Sequence, residues 1–168
     1  MSLKIEQDSS SKYINIWTDG ANRNTGNVKG SHVKPTDKAA YGYYMEYQGL
    51  EKEEVFTGYG YTNNFCELMA FYSALKALKR FDLPVRIYSD STYVVDSINN
   101  EWYKGWRAKG WTKKGGLVNS EVWKETIELF EQFNFISVIK VKGHSNNENN
   151  NHVDEILNEA MDNMEERG

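Results

Sequence analysis

The sequence predicts an α/β domain, on three observations. Residues 39–47 alternate as a strand, and residues 54–61 pair back after the Gln48-Gly49 turn. Leu68, Phe71, Tyr72, Leu75 and Leu78 recur at the spacing of one helix face. After Pro84, strand-like and helix-like stretches take turns, the order that builds parallel crossovers.

The first strand is expected over residues 13–18, Tyr-Ile-Asn-Ile-Trp-Thr, ending at the turn signal Asp19-Gly20. Taken alone, Asp19 reads as a turn aspartate. Residues 21–38 make a long polar loop containing Gly26, Gly30 and Pro35. The strands at 39–47 and 54–61 follow, and with the first they form an antiparallel meander.

Thr62-Asn63-Asn64 leads into a helix over residues 64–80. Asn64 and Glu67 have the spacing of a capping box, which is one role for Glu67; the other is to point into a site and hold a metal. Residues 85–89 form a short strand rich in β-branched side chains, and a helix starts near Tyr93 with Asp90 or Ser91 as its cap. A parallel crossover onto the first strand would set Asp19 and Asp90 side by side, at the carboxyl ends where ligands gather in open α/β sheets. Asn119 or Ser120 caps the next helix, which carries Trp123, Ile127 and Phe130. The fifth strand is expected over 135–141 and the last helix from Asn151, with Asn151 and Asp154 as another capping pair.

At 168 residues the chain is expected to form one domain over 12–164, between an unstructured polar stretch at 1–11 and a tail at 165–168. The net charge of −4 does not suggest a polyanion binder, but the average hides a segregation. Between Trp102 and Lys114 lie Lys104, Arg107, Lys109, Lys113 and Lys114 with no acid among them. Trp102, Trp106 and Trp111 alternate with these cations. Aromatic planes beside Arg and Lys suit base stacking and phosphate contact, so this stretch is expected to protrude as a binding surface. The single cysteine, Cys66, permits no internal disulfide, fits a reducing cytoplasmic setting, and reads as a buried filler. No apolar run reaches membrane-spanning length, and no signal-peptide pattern opens the chain.

Each carboxylate at an element end has an ordinary structural role when taken singly. Together with His144 they fall in five motifs: Thr18-Asp19-Gly20, Thr62-Asn63-Asn64 followed by Glu67-Leu68-Met69, Tyr88-Ser89-Asp90-Ser91, Lys142-Gly143-His144-Ser145, and His152-Val153-Asp154-Glu155. In this order and spacing the chain closely resembles the ribonuclease H type 1 family, over nearly its whole length. The stretch from Trp102 to Trp111 resembles the basic protrusion of many bacterial and eukaryotic members. The loop after Asp19 departs from the pattern: many relatives have a short Gly/Pro-rich turn there.

The resemblance implies a five-stranded mixed sheet, an antiparallel meander plus two parallel strands, flanked by helices. It implies an endonuclease that hydrolyses the RNA strand of RNA/DNA hybrids. Asp19, Glu67, Asp90 and Asp154 would form the metal-binding carboxylate set, with His144 assisting. Thr62, Asn63, Asn64 and Asn119 match positions that contact nucleic acid, Thr62 and Asn119 at a DNA-phosphate pocket. Tyr93 and Trp102 match positions lining the DNA-strand channel. Two Mg²⁺ ions are expected, with Mn²⁺ as a substitute, because hard divalent ions take oxygen ligands and relieve carboxylate repulsion. In the expected mechanism Asp19 is the shared ligand, Glu67 and Asp90 serve one ion and Asp154 the other, and the products carry 5′-phosphate and 3′-hydroxyl ends. The 2′-hydroxyl distinguishes the RNA strand. A monomer is expected. Two rival functions remain open: another nuclease of the same fold, of resolvase or integrase kind, and a non-catalytic hybrid-binding module.

Overall fold

The computed structural model describes residues 12–24, 33–113, 116–142 and 148–166. His144 and Lys114, two of the expected site residues, lie outside the described residues. The elements run β1 (Ile14–Asn22), β2 (Lys38–Tyr47), β3 (Leu50–Tyr59), α1 (Asn63–Ala77), β4 (Val85–Ser89), α2 (Thr92–Asn99), α3 (Trp102–Ala108), α4 (Ser120–Phe130), β5 (Ile136–Lys140) and α5 (Glu148–Asp162).

The five strands form one mixed sheet in the order β3-β2-β1-β4-β5. The meander is antiparallel, β1 with β2 and β2 with β3, and β4 and β5 add in parallel. Gln48 and Gly49, with φ of 49° and 84°, make the β2–β3 turn with both central residues in the left-handed region, as tight hairpins require.

Strand alternation divides the core between the two faces of the sheet. Ile14, Ile16, Tyr43 and Met45 point to the larger cluster, where they meet Leu68, Phe71 and Leu75 of α1 and Trp123 and Ile127 of α4. Trp17, Ala40 and Tyr44 point to the opposite face and pack against Val153, Leu157 and Met161 of α5. Helix α5 therefore covers β1 and β2 from the side α1 does not.

Several boundaries differ from expectation, and the differences bear on the site. β1 does not stop at Asp19-Gly20. The parallel ladder with β4 ends at Trp17↔Tyr88, but the antiparallel ladder with β2 runs on through Asp19↔Gly42 to Asn22↔Ala39. Asp19 is thus held by a strand on one side where the neighbour on the other side has ended. β3 begins at Leu50 rather than residue 54, because the tight turn carries pairing straight into it. α1 is capped by Thr62, whose Oγ1 accepts from the Phe65 amide at 3.1 Å, so Glu67 lies beyond the first turn and is not a capping partner of Asn64. Of the two caps expected for α2, Ser91 takes the bond, its Oγ accepting from the Val94 amide at 3.2 Å, which releases Asp90 from that task. α5 is already helical at Glu148, so Asn151 and Asp154 sit inside it and are no capping pair.

Candidate active site

Four elements converge at the point where β1 outruns β4. Asp19 comes from β1, Glu67 from the second turn of α1, Asp90 from the residue after β4, and Asp154 from α5. They share a cavity of about 420 Å³. One oxygen from each of Asp19, Glu67 and Asp90 lies within 4.8 Å of the others. Asp154 lines the same cavity without joining that trio.

Gly20 makes the close approach of α1 possible. A β-carbon there would stand 2.6 Å from the Cys66 carbonyl carbon and from the Glu67 amide nitrogen. The helix backbone therefore rests directly on β1, which brings Glu67 beside Asp19. Cys66 fills the space beneath: it is fully buried, and burial, ahead of the neighbouring Glu67 charge, pushes its thiol up to about 12. It is packing, as expected, not a nucleophile.

The electrostatics follow from crowding like charges out of water. Burial first, then the charges of Asp90 and Asp154, push the Asp19 carboxyl from 3.8 up to about 8, against a single lowering contact from the Gly20 amide, which donates to Oδ1 at 2.9 Å. Glu67 is raised well above the usual glutamate value, again by burial first and then by Asp19 and Asp90. Glu67 Oε1 and Asp90 Oδ1 are buried with no hydrogen-bond partner among the described residues. Such orphaned oxygens are costly unless something cationic faces them. The donor set is all oxygen, which fits a hard divalent ion such as Mg²⁺.

Of the expected nucleic-acid contacts, Asn63, Asn64 and Tyr93 line the carboxylate cavity. Tyr93 is fixed from behind: its hydroxyl accepts from Trp123 Nε1 at 2.7 Å and from Asn119 Nδ2 at 3.4 Å. Asn119 has φ of 62° at the start of α4 and makes no side-chain capping bond, so its amide is directed at Tyr93 instead. Thr62 spends its oxygen on the α1 cap.

The cationic stretch divides. Trp102 is 48% exposed. Trp106 and Trp111 instead pack against the main core, Trp106 with its ring 5.4 Å from that of Trp123. These two tryptophans anchor the arm rather than display it. Lys104 pairs with Glu101 at 3.0 Å and Arg107 pairs with Glu131. Lys109 and Lys113 are exposed and form no ion pair among the described residues.

Sequence reasoning passed over Asn22, Ser91, Thr92 and Asn150, which also line the cavity. Asn150 is buried and stands one helical turn before Asp154; a polar side chain at that spacing on the inward face of α5 was the available signal. A larger cavity of about 660 Å³ lies between β3 and α5, with Glu51, Glu53, Glu148, His152 and Glu155 on its walls. Its groups are spread out, Glu51 is taken by Tyr44 and Glu53 by His152, and they do not gather as the Asp19 trio does.

The RNase H family model matches residues 11–162. A ribonuclease H of Clostridium botulinum is 38% identical over 154 residues, covering 90% of this chain and 97% of its own. One from Prosthecochloris aestuarii is 38% identical over 157 residues, with the same coverage of 90% and 97%. Among solved structures, LC9-RNase H1, a type 1 RNase H with the type 2 active-site motif, superposes with a TM-score of 0.76 at 20% identity, covering 92% of this chain and 74% of that one. A foamy viral protease-reverse transcriptase in complex with dsDNA gives 0.72 at 20% identity, with 88% and 93% covered. A sheet of the order β3-β2-β1-β4-β5, an acidic cluster where its central strands part, and relatives matched along nearly their full length agree with one another: the chain belongs to the RNase H family.

Proposed function

We propose that the protein hydrolyses the RNA strand of RNA/DNA hybrids at the Asp19 cavity, leaving 5′-phosphate and 3′-hydroxyl ends. The observation that carries this reading is the gathering of Asp19, Glu67 and Asp90 within 4.8 Å from three separate parts of the chain. Two divalent ions, Mg²⁺ first and Mn²⁺ in its place, would be held by these three and Asp154. When bound, such ions lower the pKa of an attacking water and stabilise a leaving oxygen.

The chain's own residues do the rest. Asp19, held in the β1–β2 ladder, lies beside Glu67 and Asp90 and feels the charge of Asp154, and it would act as the shared ligand. Asn63 and Asn64 stand at the cavity wall, where their amides donate to and accept from the hybrid. Tyr93, braced by Trp123 and Asn119, offers a fixed aromatic plane to the DNA strand, and exposed Trp102 offers a second. The Thr62 hydroxyl, which only accepts in the α1 cap, keeps its own hydrogen to donate to a DNA phosphate, and Asn119 keeps the amide hydrogen not given to Tyr93 for the same phosphate. Lys109 and Lys113 add sequence-independent attraction, with Lys104 and Arg107 contributing less because each has an acid beside it. His144 moves a proton or helps release product.

No helix among the described residues is long and apolar enough to cross a membrane. We place the protein in the cytoplasm as a monomer, consistent with its one free, buried cysteine.

The test is a labelled RNA/DNA hybrid incubated with Mg²⁺ or with chelator, beside a DNA duplex and a DNA junction. Cleavage of the RNA strand alone, dependent on the metal and lost in Asp19→Asn, is the expected result. Binding without cleavage, or cleavage of the junction, overturns it.

A further inference from the structure

The end of β1 carries two neighbouring side chains that reach in opposite directions. Asn22 Nδ2 donates to the Tyr61 carbonyl at 3.0 Å, just ahead of the Thr62 cap of α1. Arg23 reaches to α5. Its Nη1 donates to Asp162 Oδ1 at 2.6 Å, and its Nη2 donates to the Asn158 carbonyl at 3.1 Å and to Asn158 Oδ1 at 3.3 Å. Asn158 in turn donates its Nδ2 to the Asp154 carbonyl at 3.0 Å. The Arg23 amide is itself tied to the Lys38 carbonyl at 2.8 Å, so the guanidinium projects from the β1–β2 ladder and not from free loop.

We infer that Arg23 is a positioning residue for the proposed metal site, acting through Asn158 on the part of α5 that presents Asp154. The inference rests on the Asp19 cavity being that site. The apolar contacts of Val153, Leu157 and Met161 hold α5 against the sheet, but apolar attraction is non-directional and leaves the helix's slide and roll weakly defined. A planar guanidinium with three acceptors on one helix supplies direction, beside the single tie of His152 to Glu53 of β3. The Asn158 amide is oriented at both ends, receiving from Arg23 and giving to Asp154, so α5 is gripped at the turn that carries the carboxylate. The Arg23–Asp162 pair is 36% and 66% exposed, and ion pairs of that kind add little to stability. Its effect should therefore fall on geometry at Asp154 more than on the folding equilibrium. Asn22 fixes α1 to the same strand end, so Glu67 and Asp154 are both referenced to the strand that bears Asp19.

The experiment is calorimetric titration of Mn²⁺ alone into the full chain without nucleic acid, for the wild type, Arg23→Ala, Arg23→Lys, Asn158→Ala and the double Ala variant, each also melted in chelator. Arg23→Ala and Asn158→Ala should each weaken Mn²⁺ binding by roughly ten-fold, the usual scale for a group that orients a metal ligand. The double variant should be no worse than either single one, since both break one relay. Arg23→Lys should recover part of the loss, and it keeps the test open should Arg23→Ala fold poorly. Unchanged Mn²⁺ affinity in the variants, multiplying losses in the double variant, or a melting drop with affinity intact overturns the relay while leaving the metal site standing. A wild type that binds no Mn²⁺ overturns the site and the relay together.

Discussion

A β-carbon on Gly20 would stand 2.6 Å from the Glu67 amide nitrogen, so the residue after one carboxylate sets how near the next can come. Gly20→Ala must push α1 off β1. We expect a loss of about 1–3 kcal/mol, the range for forced overpacking, together with a larger fall in cleavage than the stability loss explains. Denaturant unfolding and single-turnover cleavage of a hybrid check it.

Asp19→Asn removes the proposed shared ligand and also relieves repulsion. It should abolish cleavage and yet raise the melting temperature in chelator. A variant that both loses activity and melts lower would argue that Asp19 stabilises the fold rather than being held in strain by it.

The pH dependence has a definite sign. In the unfolded chain Asp19 and Glu67 ionise near 3.8 and 4.5, whereas in the fold Asp19 is pushed up to about 8 and Glu67 well above its usual value. The folded form holds protons that the unfolded form releases. The stability from that binding is complete below about pH 4 and is lost as pH rises towards about 8. In chelator, the melting-temperature gap between Asp19→Asn and the wild type should widen across that window. Added Mg²⁺ should narrow it at the alkaline end by binding the ionised wild-type site. Melts at one-unit pH intervals, with and without Mg²⁺, supply the comparison.

Within the cationic arm, charge count and effective charge differ. Neutralising Lys109 and Lys113 should lower the salt slope of hybrid binding by about 1 for each phosphate that then keeps its counterion. Neutralising Lys104 and Arg107 should lower it less, because Glu101 and Glu131 already offset them. Binding titrations at several salt concentrations, in Ca²⁺ to prevent turnover, separate the pairs. Equal slopes would show that the ion pairs open when nucleic acid binds.

Thr62→Ala should cost about 1 kcal/mol through removal of the α1 cap. Because Asn63 and Asn64 ride on that first turn, KM for the hybrid should rise more than kcat falls. Steady-state kinetics beside a melt provide the check.

Periodicity made most of the architecture readable. The meander, the crossover onto β1 and the burial of Cys66 all follow from patterns a few residues long. What misled was local signal that tertiary pairing overrode. Asp19-Gly20 looks like a turn, yet β2 keeps pairing with both residues, so the strand runs on. Asn64 and Asn151 look like caps, but Thr62 takes the capping bond of α1 and α5 is already helical three residues before Asn151, while of the two caps expected for α2 it is Ser91 that makes the bond. The tryptophans of the arm could not be told apart either: Trp106 is drawn inward by Trp123, seventeen positions away and on another helix. The carboxylate set was legible only as a conjunction, since each member alone has a commoner local use.

The reach of β1 past the end of β4 separates two design variables that a turn at Asp19 would have merged. Pairing with β2 continues to Asn22↔Ala39, which insulates the acidic residue from whatever connects the two strands. The connection can therefore be cut shorter, lengthened or exchanged for a relative's segment without moving the acidic cluster, as long as the Asn22 and Arg23 ties are kept.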